Sequence, residues 1–270
     1  MNSELISLEP LNDADYLEGH LLFKRSSTQQ EKMLKWLNGY FLRTFDTSHC
    51  SILGIGSGAG VVDLPLLQSL APHIKNIHYV GIDPNSASCE RFREQLKTWH
   101  DDPYDISIHC TPLDSFNGEI LFDVALMVHV MYYFQNLGMA IQDALQNLKV
   151  GGQLLILHAP DDPLQFYSKI STRQLYGHPM WLSPDIEREL QKQNIAYECS
   201  RISAEVKVTP LFSHNDPMKY VWLNFIVQGD ARNLPNHKIL KILKQLQEIS
   251  YEREGDIYID HPIDAIVVTK

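Results

Sequence analysis

The chain has 270 residues, of which 44% are hydrophobic, and carries a formal net charge of −10 with histidine neutral. That length fits one α/β domain with extra segments, or one domain plus a small appendage, and the acidic balance disfavours a nucleic-acid partner. No stretch approaches the roughly 20 apolar residues of a membrane span, and the N-terminal residues lack the basic-then-apolar order of a secretory leader. Cys50, Cys89, Cys110 and Cys199 are scattered without metal-ligand spacing, so free thiols, no bound metal and a cytoplasmic setting are expected.

Apolar residues at helical spacing predict two helices within 12–45: Tyr16, Leu17, Leu21, Leu22 and Phe23, then Met33, Leu34, Trp36, Leu37 and Phe41. The polar run 26–31 between them can cap the second. From residue 50 the pattern alternates. Strands are expected over 51–56, 77–83, 105–110, 122–130 and 153–158, with helices over 61–70, 86–99 and 137–148 between them. Gly151 and Gly152 turn the chain into the fifth strand. Beyond 160, Ser183 reads as a hydroxyl cap with Pro184 at the first helical position. Residues 197–208 read as one strand, 217–227 and 235–249 as helices, and 263–269 as a final apolar strand placed to insert antiparallel into the sheet. Such alternation implies an α/β fold with a mainly parallel sheet covered on both faces.

The sharpest motif is Gly54-Ile55-Gly56-Ser57-Gly58-Ala59-Gly60, at the end of the first strand. Glycines there permit a tight turn and leave room for a ligand against the backbone and the next helix. The motif alone serves dinucleotides, other nucleotides and plain turns. Asp83 narrows the choice, because a carboxylate ending the second strand is placed to accept both ribose hydroxyls of an adenosine. No Lys or Arg lies between Ser51 and Leu70, and Asp63 opens the helix instead. That favours a cationic sulfonium over a pyrophosphate. Asp114 and Ser115, after the third strand, are placed to approach adenine. The expected cofactor is S-adenosylmethionine, with a NAD-dependent oxidoreductase or a non-catalytic nucleotide binder as the rival reading.

The segment Phe122-Asp123-Val124-Ala125-Leu126-Met127-Val128-His129-Val130-Met131-Tyr132-Tyr133-Phe134 resembles the fourth strand of histamine N-methyltransferases. So do Tyr16-Leu17-Glu18 with Phe23, Ser27 and Thr28, and the glycine loop from Ile52 to Gly60 followed by Asp63-Leu64. The resemblance implies a seven-stranded, mainly parallel, Rossmann-like core of class I methyltransferases with a smaller substrate-binding region. It divides the chain into an N-terminal helical cap (1–48), a cofactor-binding core (49–160), and a segment completing the sheet and the substrate site (161–270). Carried over residue by residue, Gly56, Asp83, Ser115 and Val128 would line the cofactor. Tyr16, Gln29, His129, Tyr132, Tyr133 and His261 would face a small-molecule acceptor.

Three positions depart from that family. Where this chain has Gln29, His129 and His261, histamine methyltransferases carry a glutamate, a glutamine and an asparagine. An amide in place of a carboxylate removes the negative partner of a cation, and a hydrogen-bonding site rejects a ligand whose groups it cannot pair. The acceptor is therefore expected to be another imidazole, an aromatic amine or a zwitterion, methylated on nitrogen. A thiol, a hydroxyl or a protein side chain is the alternative acceptor. His129, at the C-terminal end of a central strand, can serve as a general base or as a hydrogen-bond partner. Tyr132 and Tyr133 can wall a planar or cationic substrate, and Trp181, Phe166 and Tyr167 are candidates to close the pocket. The oligomeric state has no sequence signature here.

Overall fold

Every residue of Cys50–Ile55 is buried, as expected for a strand with both faces covered. In the computed structural model, which describes residues 11–99, 104–118, 120–165, 168–169, 179–213 and 216–270, this segment is β1 of a seven-stranded sheet. The chain forms two compact units. The larger comprises 31–160, 181–202 and 263–270, and the smaller the described parts of 1–30, 161–180 and 203–262.

In the larger unit β1 is joined by β2 (Ile77–Ile82), β3 (Asp105–His109), β4 (Phe122–Val128), β5 (Leu148–His158), β6 (Tyr197–Ile202) and β10 (Ile263–Thr269). Their order is β3-β2-β1-β4-β5-β10-β6. The first five run parallel, and β10 lies antiparallel to both of its neighbours. The expected seven-stranded, mainly parallel sheet is thus present, with the final strand inserted antiparallel.

Alternation along the strands builds two cores. Ile52, Val124, Leu126, Leu155 and Leu157 point to one face. There they meet Met33, Leu37 and Phe41 of α2 (Gln29–Thr44), four leucines of α3 (Asp63–Leu70), and Cys89 and Phe92 of α4 (Ser86–Lys97). Leu53, Ala125, Met127, Leu154 and Ile156 point to the other face. They pack on Leu137, Ile141 and Ala144 of α5 (Leu137–Gln146) and on Ile186 and Leu190 of α6 (Ser183–Lys192). Each fully buried Leu, Ile, Val, Phe or Met among them contributes about 1.5–3 kcal/mol of apolar transfer energy.

The smaller unit holds α1 (Asp13–Ser26), α7 (Thr209–Phe212), α8 (Met218–Val227) and α9 (Asn236–Glu248). It also holds an antiparallel sheet of order β7-β9-β8, built from β7 (Glu205–Lys207), β8 (Ser250–Arg253) and β9 (Asp256–Asp260). Its core centres on Trp222, Leu223, Val206 and Val208. Gly19 lets α1 approach α8, because a Cβ there would stand 2.8 Å from Cβ of Phe225.

Four local readings change. The expected strand 197–208 is two strands in different sheets, broken at Ser203 and Ala204, because period-two apolarity does not reveal a change of partner. β5 starts at Leu148 and passes through Gly151 and Gly152 with a register shift against β4, so the glycines mark an irregularity within a strand. Ser183 does not cap α6: its hydroxyl donates to buried Asp264 (2.5 Å), and the Asp185 carboxylate accepts from the Leu182 N–H instead. The β8–β9 hairpin was not anticipated. Its two-residue turn, Glu254-Gly255, has positive φ at both positions (54° and 83°), the conformation that Asn-Gly or Asp-Gly usually signals.

Candidate active site

In an open α/β sheet, ligands bind beyond the C-terminal strand ends where the order reverses. Here that point lies between β1 and β4. The glycine loop leaves β1 with Gly56, Gly58 and Gly60 at φ of 66°, 54° and 74°. The Gly58 N–H donates to Oδ2 of Asp83 (2.9 Å), and the Asn85 N–H donates to Oδ1 of the same carboxylate (2.8 Å). A Cβ on Gly58 would project into the space facing Asp83, 4.0 Å from Oδ2, so a side chain there would fill a cradle that glycine keeps clear. Asn85 caps α4 by accepting from the Ser88 N–H, so the turn after β2 also holds the carboxylate in place.

Gly54 answers a different constraint. A Cβ on it would sit 2.2 Å from the Tyr79 hydroxyl and 2.7 Å from Oδ1 of Asp63. These two groups form a buried pair behind the loop, with the Tyr79 hydroxyl donating to Asp63 at 2.7 Å. Burial pushes the Asp63 carboxyl up to about 6, against the opposing hydrogen bond from Tyr79. It stays largely ionised at neutral pH and places negative potential behind the loop, which suits a cation.

The remaining cofactor candidates are more open. Asp114 and Ser115 lie on an exposed helical turn after β3, the Ser115 hydroxyl donating to Asp114 at 2.9 Å. Val128 ends β4 half-buried. Asp123, at the opposite end of β4, accepts from the Ser51 N–H and hydroxyl and from Lys149. Burial would raise its pKa, but these bonds hold it below the usual carboxylate value. They bind β1, β4 and β5 together, a structural role.

His129 follows Val128 at a φ of 50°, a conformation rare outside glycine and concentrated at functional sites. Its N–H still pairs with the Leu157 carbonyl of β5 (3.0 Å), and the short turn Met131–Tyr133 then brings Tyr132 back over it. The His129 and Tyr132 rings lie near parallel, with Nδ1 of His129 3.3 Å from the Tyr132 hydroxyl. Tyr132 packs in turn on His158, ring centres 4.0 Å apart. Tyr133, 64% exposed, stands edge-on to Tyr132.

His158, the last residue of β5, is fully buried and was missed by sequence reasoning. Only its place at a C-terminal strand end, beside β4, could have flagged it. A carbonyl can only accept, so the 3.0 Å contact with the Trp181 carbonyl fixes the proton on Nε2. Nδ1 is then a lone pair, and it is buried without a hydrogen-bond partner among the described residues. Burial pushes His129 down to about 4 and His158 to about 3, the latter helped by neighbouring His129. Both are neutral at pH 7. Trp181 is anchored by an indole N–H donated to the Phe134 carbonyl (2.9 Å). Phe166 and Tyr167 lie outside the described residues.

The other acceptor candidates meet in the smaller unit. Gln29 and His261 are both buried. The Gln29 amide nitrogen lies 3.2 Å from Nε2 of His261 and donates to the carbonyls of His261 and Pro262. Nδ1 of His261 lies 2.9 Å from the Ser27 hydroxyl, which also accepts from the Gln29 N–H. An aromatic run continues from His261 through Phe23 (4.8 Å) and Phe225 (5.0 Å from Phe23) to Tyr16 (6.1 Å from Phe225). Phe225 carried no sequence signal, since its helix reads as apolar all round. Among the described residues no His, Cys, Asp or Glu cluster could hold a metal.

Comparison with known proteins agrees with this geometry. A methyltransferase-domain family model matches residues 53–154. Histamine N-methyltransferase of Xenopus tropicalis is 23% identical over the whole of both chains, and that of Bos taurus 23% identical over 94% of each. Among solved structures, the YcgJ protein from Bacillus subtilis aligns with a TM-score of 0.57 at 14% identity, covering 87% of this chain and 98% of its own. The plantazolicin methyltransferase BpumL, crystallised with a desmethylPZN analogue and S-adenosylhomocysteine, aligns at 0.53 and 17% identity, covering 96% and 92%. Sheet order and glycine cradle are those of the Rossmann-like methyltransferase fold, and the chain is similar to class I methyltransferases that use S-adenosylmethionine. Within that class the likeness is to histamine N-methyltransferases.

Proposed function

We propose that this methyltransferase acts on a nitrogen of a small imidazole- or amine-bearing molecule, related to histamine but different from it. The observation that carries the reading is the neutral ring cluster of His129, Tyr132 and His158 at the ends of β4 and β5. The histamine methyltransferases supply the motif in which His129 and the Tyr132-Tyr133 pair sit. Against histamine itself stands Gln29, whose uncharged amide is engaged with His261 where that family has a carboxylate.

S-adenosylmethionine, when bound, supplies a methyl group on a positively charged sulfur, open to displacement by a neutral nucleophile. The glycine loop and Asp83 would hold it, Asp83 through the ribose hydroxyls, with Asp114 and Ser115 toward adenine and Val128 alongside. Asp63 would add negative potential for the cation. His129 remains neutral at pH 7, so it would accept a hydrogen bond from an acceptor N–H and aim the nitrogen lone pair, rather than store a proton. Tyr132 and Tyr133 would supply aromatic walls, a role that family position gives Tyr16 as well. No described helix is long and apolar enough to cross a membrane. A cytoplasmic setting and a small-molecule partner, without nucleic acid, complete the reading.

Labelled cofactor offered with imidazoles, amines, thiols and phenols tests it, with the methylated atom located by NMR. N-methyl products with a turnover preference for an imidazole or amine other than histamine are expected. Label confined to sulfur, oxygen or protein side chains would overturn the reading.

A further inference from the structure

Two of the four cysteines meet next to the cofactor carboxylate. Cys89 lies in the first turn of α4, its N–H bonded to the Asn85 carbonyl, and is fully buried. Cys110 follows the end of β3 and is exposed. They are brought together by the turn that carries Asp83. The Asp83 N–H pairs with the His109 carbonyl, which places Cys110 beside that turn, and α4 then folds Cys89 back onto it. The Cys89 thiol donates to the Asp83 carbonyl (3.3 Å), while the Cys110 thiol donates to the Pro84 carbonyl (3.6 Å). Consecutive carbonyls of one turn thus receive the two thiols, and the Cys89 sulfur also lies 3.7 Å from the carbonyl of His109, the residue just before Cys110.

We propose that Cys89 and Cys110 form a reversible disulfide when the protein meets hydrogen peroxide, and that this cross-link lowers its affinity for the cofactor. The inference goes beyond the acceptor reading and does not depend on it. The exposed Cys110 sulfur attacks the peroxide; the O–O bond breaks, water leaves, and a sulfenic acid remains. The Cys89 sulfur then attacks Cys110 Sγ, the S–O bond breaks, and hydroxide takes a proton to leave as a second water. Two thiols lose two electrons in total and one peroxide gains them. Burial, with Cys110 and Asp83 nearby, pushes the Cys89 thiol up to about 11, so the second step accelerates as pH rises. A disulfide holds its sulfurs about 2 Å apart, closer than any thiol hydrogen bond. Oxidation also removes both S–H donors from the Asp83 and Pro84 carbonyls. The backbone that fixes the Asp83 carboxylate is therefore reset, whereas the reduced pair leaves it in the cradle geometry.

The full-length protein is titrated with hydrogen peroxide, then analysed by intact mass, peptide mapping and calorimetry with S-adenosylhomocysteine. A Cys89–Cys110 cross-linked peptide is expected, formed faster at pH 8.5 than at pH 7. Affinity should fall roughly tenfold, the loss of about one good hydrogen bond, and return with dithiothreitol. Cys110→Ser should bind like the reduced protein and ignore peroxide, and Cys199→Ser should respond like the parent. Absence of the cross-linked peptide, or a complete cross-link with unchanged affinity, overturns the proposal. Failure of the reduced protein to bind S-adenosylhomocysteine would instead count against the cofactor assignment, with the mapping result standing separately.

Discussion

His261 in the smaller unit and His158 in the larger are both buried imidazoles, yet their nitrogens are used differently. Those of His261 face Ser27 and Gln29 within hydrogen-bond distance, and Gln29 is tied further to two carbonyls. His158 gives Nε2–H to the Trp181 carbonyl and keeps a buried Nδ1 beside Tyr132, unpaired among the described residues. A satisfied network fixes its own shape, whereas an unpaired lone pair retains bonding capacity at a cost in stability. The smaller unit's cluster behaves as a self-bonded frame and the larger unit's as the chemically unfinished one. Family position alone would have treated Gln29, His129 and His261 as equivalent substrate contacts.

The sharpest way to break this contrast is Gln29→Glu. A carboxylate there cannot donate to the His261 and Pro262 carbonyls and would face them instead. The expected cost is roughly 3 kcal/mol of stability by urea denaturation. Retained stability together with gained histamine methylation would show that the frame is open after all.

The next effect concerns acid. His158 titrates at about 3 in the folded chain against an ordinary value of 6.5, so its contribution is complete above pH 6.5 and is lost as pH falls toward 3. Between pH 6.5 and 5 that amounts to about 2 kcal/mol. His158→Leu should remove this part of the acid lability, seen as a flatter plot of unfolding free energy against pH than the parent gives. An unchanged slope would mean that His158 is hydrated and not sealed.

His129→Ala should lower kcat/KM for the acceptor by roughly tenfold, the worth of one hydrogen bond, while calorimetry shows unchanged affinity for S-adenosylhomocysteine. Loss of cofactor affinity instead would place His129 on the wrong ligand. The smallest effect is expected at Ser27→Ala, which removes a hydroxyl from the His261 network. It should cost about 1 kcal/mol of stability and leave cofactor affinity unaltered.

The larger unit was readable in the sequence because its strands are short apolar runs with glycine or aspartate at their ends. Gly54 to Gly60 and Asp83 mark backbone turns that few other residues permit, and they emerged facing one another. The smaller unit was harder to read. β6 and β7 form one continuous strand pattern but join different sheets, and the β8–β9 hairpin turns on Glu254-Gly255. Histidines were the least legible. His129 was marked by its place after β4, but neither its left-handed backbone nor the unpaired nitrogen of His158 can be read from residue type, because both depend on what surrounds them.

The antiparallel β10 also has a consequence for synthesis. Among the described residues β6 has β10 as its one neighbour in the seven-stranded sheet, and β5 relies on it for one edge. A ribosome adding residues at about 5–20 per second therefore makes six of the seven strands before the piece that joins them exists. Until residues 263–269 emerge, the nascent chain carries open hydrogen-bonding edges on β5 and β6, surfaces that invite pairing with other chains. The larger unit closes by a late insertion, and a chain stopped just short of it should aggregate rather than fold with a slightly smaller sheet.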